Sequence, residues 1–83
     1  MTKEDIFGII KRNLLEILPD LSEDQIDPAQ SMKDLGANSV DRMDVVIQTK
    51  EELDLKFPLN ELGGVENLQG LTDFFHTKCL NRA

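Results

Sequence analysis

The sequence predicts an all-α protein, a helical bundle with three longer helices, one short helix and a long first loop. Three observations carry that prediction. Apolar residues recur at spacings of three and four in three separate segments, the signature of helices with one buried face. Each segment is preceded by a residue suited to cap a helix, namely Thr2, Asn38 or Ser39, and Asn67. No stretch reads as a convincing strand.

The first helix follows from Ile6, Ile10, Leu14, Ile17 and Leu21, with Ile9 and Leu18 widening the face. Thr2 is placed to cap it, and Glu4 and Asp5 suit the positive end of its dipole. Pro19 stops it near Leu18. The connection from about Pro19 to Asn38 is long for a compact domain, and such loops are more often functional than idle. Within it, Ser22-Glu23-Asp24-Gln25 reads as a capping box opening a short turn that Pro28 ends. Ile26, Met32 and Leu35 are spaced to pin the loop to the core.

The second helix is expected from about Ser39 to Leu53. At about 100° per residue it presents two apolar arcs. Val45, Val46, Thr49 and Leu53 form one; Val40, Met43 and Ile47 form the other. Asp41, Asp44, Gln48, Glu51 and Glu52 fill the remainder, and Lys50 lies between the arcs. One arc must face the core. The other is either exposed, as a binding surface bordered by charge, or buried because the helix is central. A short third turn is expected near Asn60–Leu62, broken by Gly63-Gly64. Asn67 then caps a last helix whose apolar face is Leu68, Leu71, Phe74 or Phe75, and Leu80.

The chain has 83 residues, enough for one domain, 1–83, and one modest core. Its formal charge of −7, from 16 acidic and 9 basic residues, disfavours binding to nucleic acid or to an anionic membrane. It favours partners with basic patches. Cys79 is the only cysteine, so no intramolecular disulfide can form. The start, Met1-Thr2-Lys3-Glu4-Asp5, lacks the layout of a signal peptide, and no apolar run matches a membrane span. The expected location is the cytoplasm.

Catalysis finds little to build on. His76 is the only histidine, so no histidine pair can hold a metal, and no nucleophile–base pair stands out. His76 reads as a surface or groove residue, Cys79 as a small packing residue, and Glu51, Glu52 and Asp54 as solvated surface.

The most informative string is Leu35-Gly36-Ala37-Asn38-Ser39-Val40-Asp41-Arg42. It sets Ser39 where a glycine-bearing loop meets the second helix. Taken from the residues alone, Ser39 is open to two readings. It is a helix cap, as Asn38 also could be, or it is an exposed hydroxyl awaiting modification, beside N–H groups able to receive a phosphate.

The string resembles the attachment motif of acyl carrier proteins, Leu-Gly-x-Asp-Ser-Leu-Asp. The likeness extends over nearly the whole chain, including the spacing from Ser39 to Leu53-Asp54-Leu55-Lys56-Phe57-Pro58. It implies the four-helix bundle of that family. It also implies 4'-phosphopantetheine, taken from coenzyme A by a phosphopantetheinyl transferase and esterified to Ser39, with an acyl group held as a thioester on its thiol. On this resemblance the chain is a non-catalytic carrier, expected to act as a monomer.

Three positions depart from the motif and its surroundings: Asn38 replaces the usual aspartate, Val40 the usual leucine, and Arg42 adds a positive charge. Lys50 also stands where an acidic residue is common. The family's partners present basic patches to this region. The expected partner face is therefore Asn38, Val40, Asp41, Arg42, Met43, Asp44, Ile47 and Glu51, altered enough to imply dedicated partners.

Gly36 to Arg42 is most similar to the discrete carriers of bacterial polyketide clusters that install β-branches. That resemblance implies an acetyl or malonyl cargo. It implies an acyltransferase, a decarboxylating ketosynthase-like enzyme and a hydroxymethylglutaryl-CoA-synthase-like enzyme as partners. Carriage for fatty-acid or aminoacyl transfer is an alternative. So, from a different class, is a helical protein-binding adaptor without a prosthetic group.

Overall fold

The computed structural model describes residues 1–81. Three α-helices, α1 (Lys3–Ile17), α2 (Ser39–Glu52) and α3 (Leu68–Leu80), are joined by connections that each contain one short 3₁₀ segment, Glu23–Gln25 and Leu59–Gly64. This is the expected bundle of three longer helices, with the expected short helix after α2 present as the second 3₁₀ segment and the short turn expected in the first loop as the first. No strand occurs among the described residues.

Each helix begins where the sequence places a cap. Thr2 and Asp5 exchange side-chain-to-backbone bonds at 3.1 Å, a capping box for α1. Asn67 Oδ1 accepts from the Gly70 N–H at 2.8 Å at the start of α3. The α1 helix ends at Ile17, before Pro19, so Leu21 falls in the following turn and not on the helix.

The core is assembled from Ile6, Ile10 and Leu14 of α1, Val45 and Val46 of α2 with Leu53 at its C-cap, and Leu68, Leu71 and Phe75 of α3. Phe57, from the α2–α3 connection, meets Phe74 edge-on with ring centroids 5.0 Å apart. Such pairs add to area burial. Leu80 is a correction: it is 69% exposed and not part of the apolar face. At 100° per residue it lies about 120° around the helix from Leu68, off the arc that meets the core. Cys79, closer to that arc, packs against the core instead.

The short segment differs from expectation in type and extent. It is 3₁₀, and it runs through Gly63 and Gly64, with Val65 as its C-cap. Val65 packs on the core and its N–H donates to the Leu62 carbonyl at 3.0 Å, so the far end is anchored despite the two glycines. Tight i→i+3 turns are frequent as connectors, although a run of six residues is longer than most.

The long first loop is a chain of satisfied turns. Ser22 and Gln25 close the predicted capping box, and Ser31 and Asp34 form a second reciprocal pair at 3.1 Å. The loop is tied to α3, whose Leu68 and Gln69 N–H groups donate to the Gln30 and Pro28 carbonyls at 2.9 and 2.8 Å. These are first-turn donors that a helix cannot satisfy internally, so the loop serves α3 as α3 holds the loop.

Candidate functional site

The loop delivers the chain to α2 through a tight turn. Gly36 adopts φ +97°, a region that favours glycine. The Gly36 N–H donates to the Lys33 carbonyl and the Ala37 N–H to the Met32 carbonyl, each at 3.0 Å. This paired pattern with a left-handed residue is a Schellman closure. Ala37 is buried just after it, so the backbone enters α2 from a fixed point.

Asn38, not Ser39, caps α2. Its Oδ1 accepts from the Asp41 N–H at 2.8 Å, and its own N–H donates to Asp41 Oδ2 at 3.4 Å. Ser39 is thereby relieved of capping and stands exposed as the first residue of the helix. Asn38 takes the Asp41 donor, whereas the Ser39 and Val40 N–H groups, one and two places into α2, have no intrahelical acceptor to reach. The Arg42 side chain turns back over this first turn. Its Nη2 donates to Ser39 Oγ at 3.2 Å and its Nε to the Asn38 carbonyl at 3.4 Å.

The two arcs of α2 part as the periodicity suggests. Val45, Val46, Thr49 and Leu53 are buried, whereas Val40 and Met43 are 68% and 45% exposed and Ile47 is half-buried. Asp44 and Glu51 are exposed beside that stripe, and Asp41 and Arg42 are half-buried. Of the residues expected on a partner face, Val40, Asp41, Met43, Asp44, Ile47 and Glu51 lie on or beside that stripe, whereas Asn38 precedes the helix as its cap and Arg42, about 200° around from Val40, lies on the other side of the first turn. Lys50 turns toward the α2–α3 connection, its Nζ 5.1 Å from the Phe57 ring centroid.

Sequence reading missed the opposite wall. Leu59 and Leu62 of the 3₁₀ segment face Met43 and Val46 of α2 across an open groove of about 390 Å³, with Ser39 and Arg42 at one end. Leu59 and Leu62, three residues apart after Pro58, were the available signal, but so short a segment displays no period. His76 and Cys79 are half-buried on α3. Among the described residues no group of three or more His, Cys, Asp or Glu is placed to hold a metal ion. Nor is any helix there long and apolar enough to cross a membrane.

This donor set fits a phosphodiester-linked arm. It offers an exposed hydroxyl, backbone N–H groups at the positive end of a helix and one guanidinium.

Comparison with known proteins agrees over most of the chain. Residues 9–75 match the family described as phosphopantetheine attachment site. The chain is 37% identical over 78 residues to the polyketide biosynthesis acyl-carrier-protein AcpK of Bacillus subtilis (strain 168), covering 94% of this chain and 95% of that one. It is also similar in structure, with a TM-score of 0.87 and 38% identity, to a chain from the crystal structure of the curacin biosynthetic pathway HMG synthase in complex with acetyl donor-ACP. That match covers 94% of this chain and all of the other (100%). The relatives are matched end to end, so the likeness is not confined to a motif. The chain belongs to the acyl carrier proteins, which bear phosphopantetheine and present acyl groups to other enzymes without catalysing a reaction themselves.

Proposed function

We propose that this carrier is an acetyl donor for β-branching in bacterial polyketide biosynthesis, with Ser39 as the residue that bears the arm. The observation that carries the reading is the close structural likeness to a chain crystallised with an HMG synthase and acetyl donor-ACP. Its support within the chain is the placement of Ser39, exposed at the head of α2 and freed from capping by Asn38.

Bound phosphopantetheine supplies a thiol at the end of a flexible arm, which holds the acyl group as a thioester. The chain's own residues do the rest. In the transfer, Ser39 Oγ attacks the pantetheine-side phosphorus of coenzyme A and gives up its proton to the transferase; the diphosphate P–O bond breaks and 3',5'-adenosine bisphosphate leaves. Asn38 and Asp41 fix the first turn of α2, so the root of the arm keeps one position relative to the exposed stripe. Val40, Met43 and Ile47 offer apolar contact, and Asp41, Asp44 and Glu51 offer charge for basic patches on partners. Asn38 and Arg42 make this end of α2 less negative than the family's usual motif, which favours dedicated partners.

The partners in this reading are a phosphopantetheinyl transferase, an acyltransferase, a decarboxylating ketosynthase-like enzyme and a hydroxymethylglutaryl-CoA-synthase-like enzyme. The carrier acts as one domain, as a monomer, in the cytoplasm.

The test has two stages. Incubation with coenzyme A and a broad-range phosphopantetheinyl transferase should add one phosphopantetheine to the intact mass, and Ser39→Ala should abolish the gain. No gain under conditions that modify a control carrier would remove Ser39 from its role. The acetyl-loaded form should then support condensation by the synthase-like enzyme where an acetyl-loaded fatty-acid carrier does not. Equal activity from both would remove the donor assignment.

A further inference from the structure

Arg42 is a cation in an unfavourable place. It lies in the first turn of α2, where the helix dipole is positive and anions are favoured. No carboxylate among the described residues reaches ion-pair distance of its guanidinium, although 16 residues of the chain are acidic. Asp41, its neighbour, is engaged with the Asn38 N–H. Instead the guanidinium folds back to Ser39 Oγ at 3.2 Å and the Asn38 carbonyl at 3.4 Å, two neutral acceptors. A guanidinium carries five N–H donors, so most of its hydrogen-bonding capacity is unspent at the one hydroxyl where an anion is to be attached.

We infer that Arg42 is a positioning residue for the arm: its guanidinium pairs with the phosphodiester esterified to Ser39 and holds the root of the arm against α2, beside the Met43–Leu62 groove. This rests on Ser39 being the attachment residue. The geometry suits it, because the contact to Ser39 Oγ already places the guanidinium beside the oxygen that becomes part of the diester. Charge-assisted bonds from a planar fork to phosphate oxygens are stronger than those it makes to neutral acceptors. Attachment converts an uncompensated cation at a positive helix end into one half of a local ion pair. Asp41 would otherwise face the new negative charge with no cation beside it.

The experiment compares apo and holo forms of the wild type, Arg42→Gln and Arg42→Lys by thermal unfolding, with the holo state verified by intact mass. A wild type that gains no mass speaks against attachment at Ser39, not against the pairing, so the two readings fail separately. The holo-minus-apo difference in Tm should be more positive in the wild type than in Arg42→Gln by about 2–5 °C, the shift expected for an exposed ion pair in a domain of this size. Arg42→Lys should retain part of it. The excess should shrink in about 1 M salt, where exposed charges are screened.

An equal holo-minus-apo difference in wild type and Arg42→Gln would overturn the inference, as would an excess that salt leaves unchanged. The Arg42 Nε–Hε resonance gives a second readout: it should move on attachment, and an unmoved resonance would also count against the pairing. Each comparison is internal to one sequence, so any change in the stability of apo Arg42→Gln cancels.

Discussion

The side-chain amide of Asn13 donates to Thr49 Oγ1 at 3.0 Å inside the contact between α1 and α2, with both residues fully buried. Thr49 Oγ1 in turn donates to the Val45 carbonyl at 2.8 Å. Asn13 Oδ1 has no hydrogen-bond partner among the described residues. A polar pair half satisfied in a small core opposes folding as well as supporting it. Thr49→Val should therefore cost about 1–3 kcal/mol, because it strands the Asn13 donor. The double change Asn13→Leu with Thr49→Val should recover most of that loss, since removing both partners can be nearly neutral. Urea unfolding of the four proteins measures the coupling; additive losses would mean that the pair does not act as a unit.

That pair also marks the limit of what the sequence made legible. Ile6, Ile10 and Leu14 declare the buried face of α1 by their spacing, but Asn13 shares that face and a polar residue is read as outward by any hydropathy pattern. Thr49 was legible on the core arc of α2 only because its neighbours Val45 and Leu53 frame it. At the site, Gly36 and Asn38 announce a turn and a helix start through residue chemistry. The return of Arg42 onto Ser39 depends on rotamers of a long side chain, which spacing does not encode. Leu59 and Leu62 stayed hidden as a groove wall because one 3₁₀ segment is too short to express a period, and Leu80 misled because it is apolar but off the arc.

Two Schellman closures set up a paired substitution. Gly36 closes the turn before α2 at φ +97°, and Asp54 closes α2 itself at φ +53°. The Leu55 N–H donates to the Lys50 carbonyl at 3.0 Å and the Asp54 N–H to the Glu51 carbonyl at 3.1 Å. A left-handed conformation costs a non-glycine residue roughly 1–2 kcal/mol, less for Asp and Asn. Asp54→Gly should thus stabilise by about 0.5–1 kcal/mol, and Gly36→Ala should destabilise by about 1–2 kcal/mol. A Cβ at Gly36 would meet nothing within 4 Å, so that cost is conformational, not steric crowding. Equilibrium unfolding checks both signs; a neutral Gly36→Ala would mean that the turn relaxes.

Acid stability should depend on Asp73. Lys3 Nζ lies 3.0 Å from Asp73 Oδ1, and the Gln69 amide donates to the same oxygen at 3.0 Å. Lys3 first, then Gln69, holds this carboxyl below its ordinary value of 3.8. A lowered folded-state pKa stabilises fully above the unfolded value and loses that contribution as the pH falls through the folded value. Both side chains are about half exposed (53% and 46%), so screening limits the pair to about 0.2–1 kcal/mol. Asp73→Asn should lower stability by that amount at neutral pH, and the difference from wild type should close well below the ordinary carboxylate range. A gap that persists in acid would assign the loss to packing.

The exposed and buried faces of α2 predict opposite phenotypes. Val40 and Met43 are 68% and 45% exposed, whereas Val45 is fully buried. Exposed substitutions away from caps and cores change stability by less than about 0.5 kcal/mol. Val40→Ala and Met43→Ala should therefore leave unfolding almost unaltered and still accept phosphopantetheine. Transfer to the synthase-like enzyme should nevertheless fall about 5–30-fold, the loss of 1–2 kcal/mol expected when an apolar anchor leaves an interface. Val45→Ala supplies the contrast: it should lower stability by about 1.5–3 kcal/mol through lost burial, with transfer per folded molecule preserved. Holding the arm's length and cargo constant across the three variants isolates the protein surface. If Met43→Ala instead unfolds as easily as Val45→Ala while transferring normally, the stripe belongs to the core and the partner face lies elsewhere on the carrier.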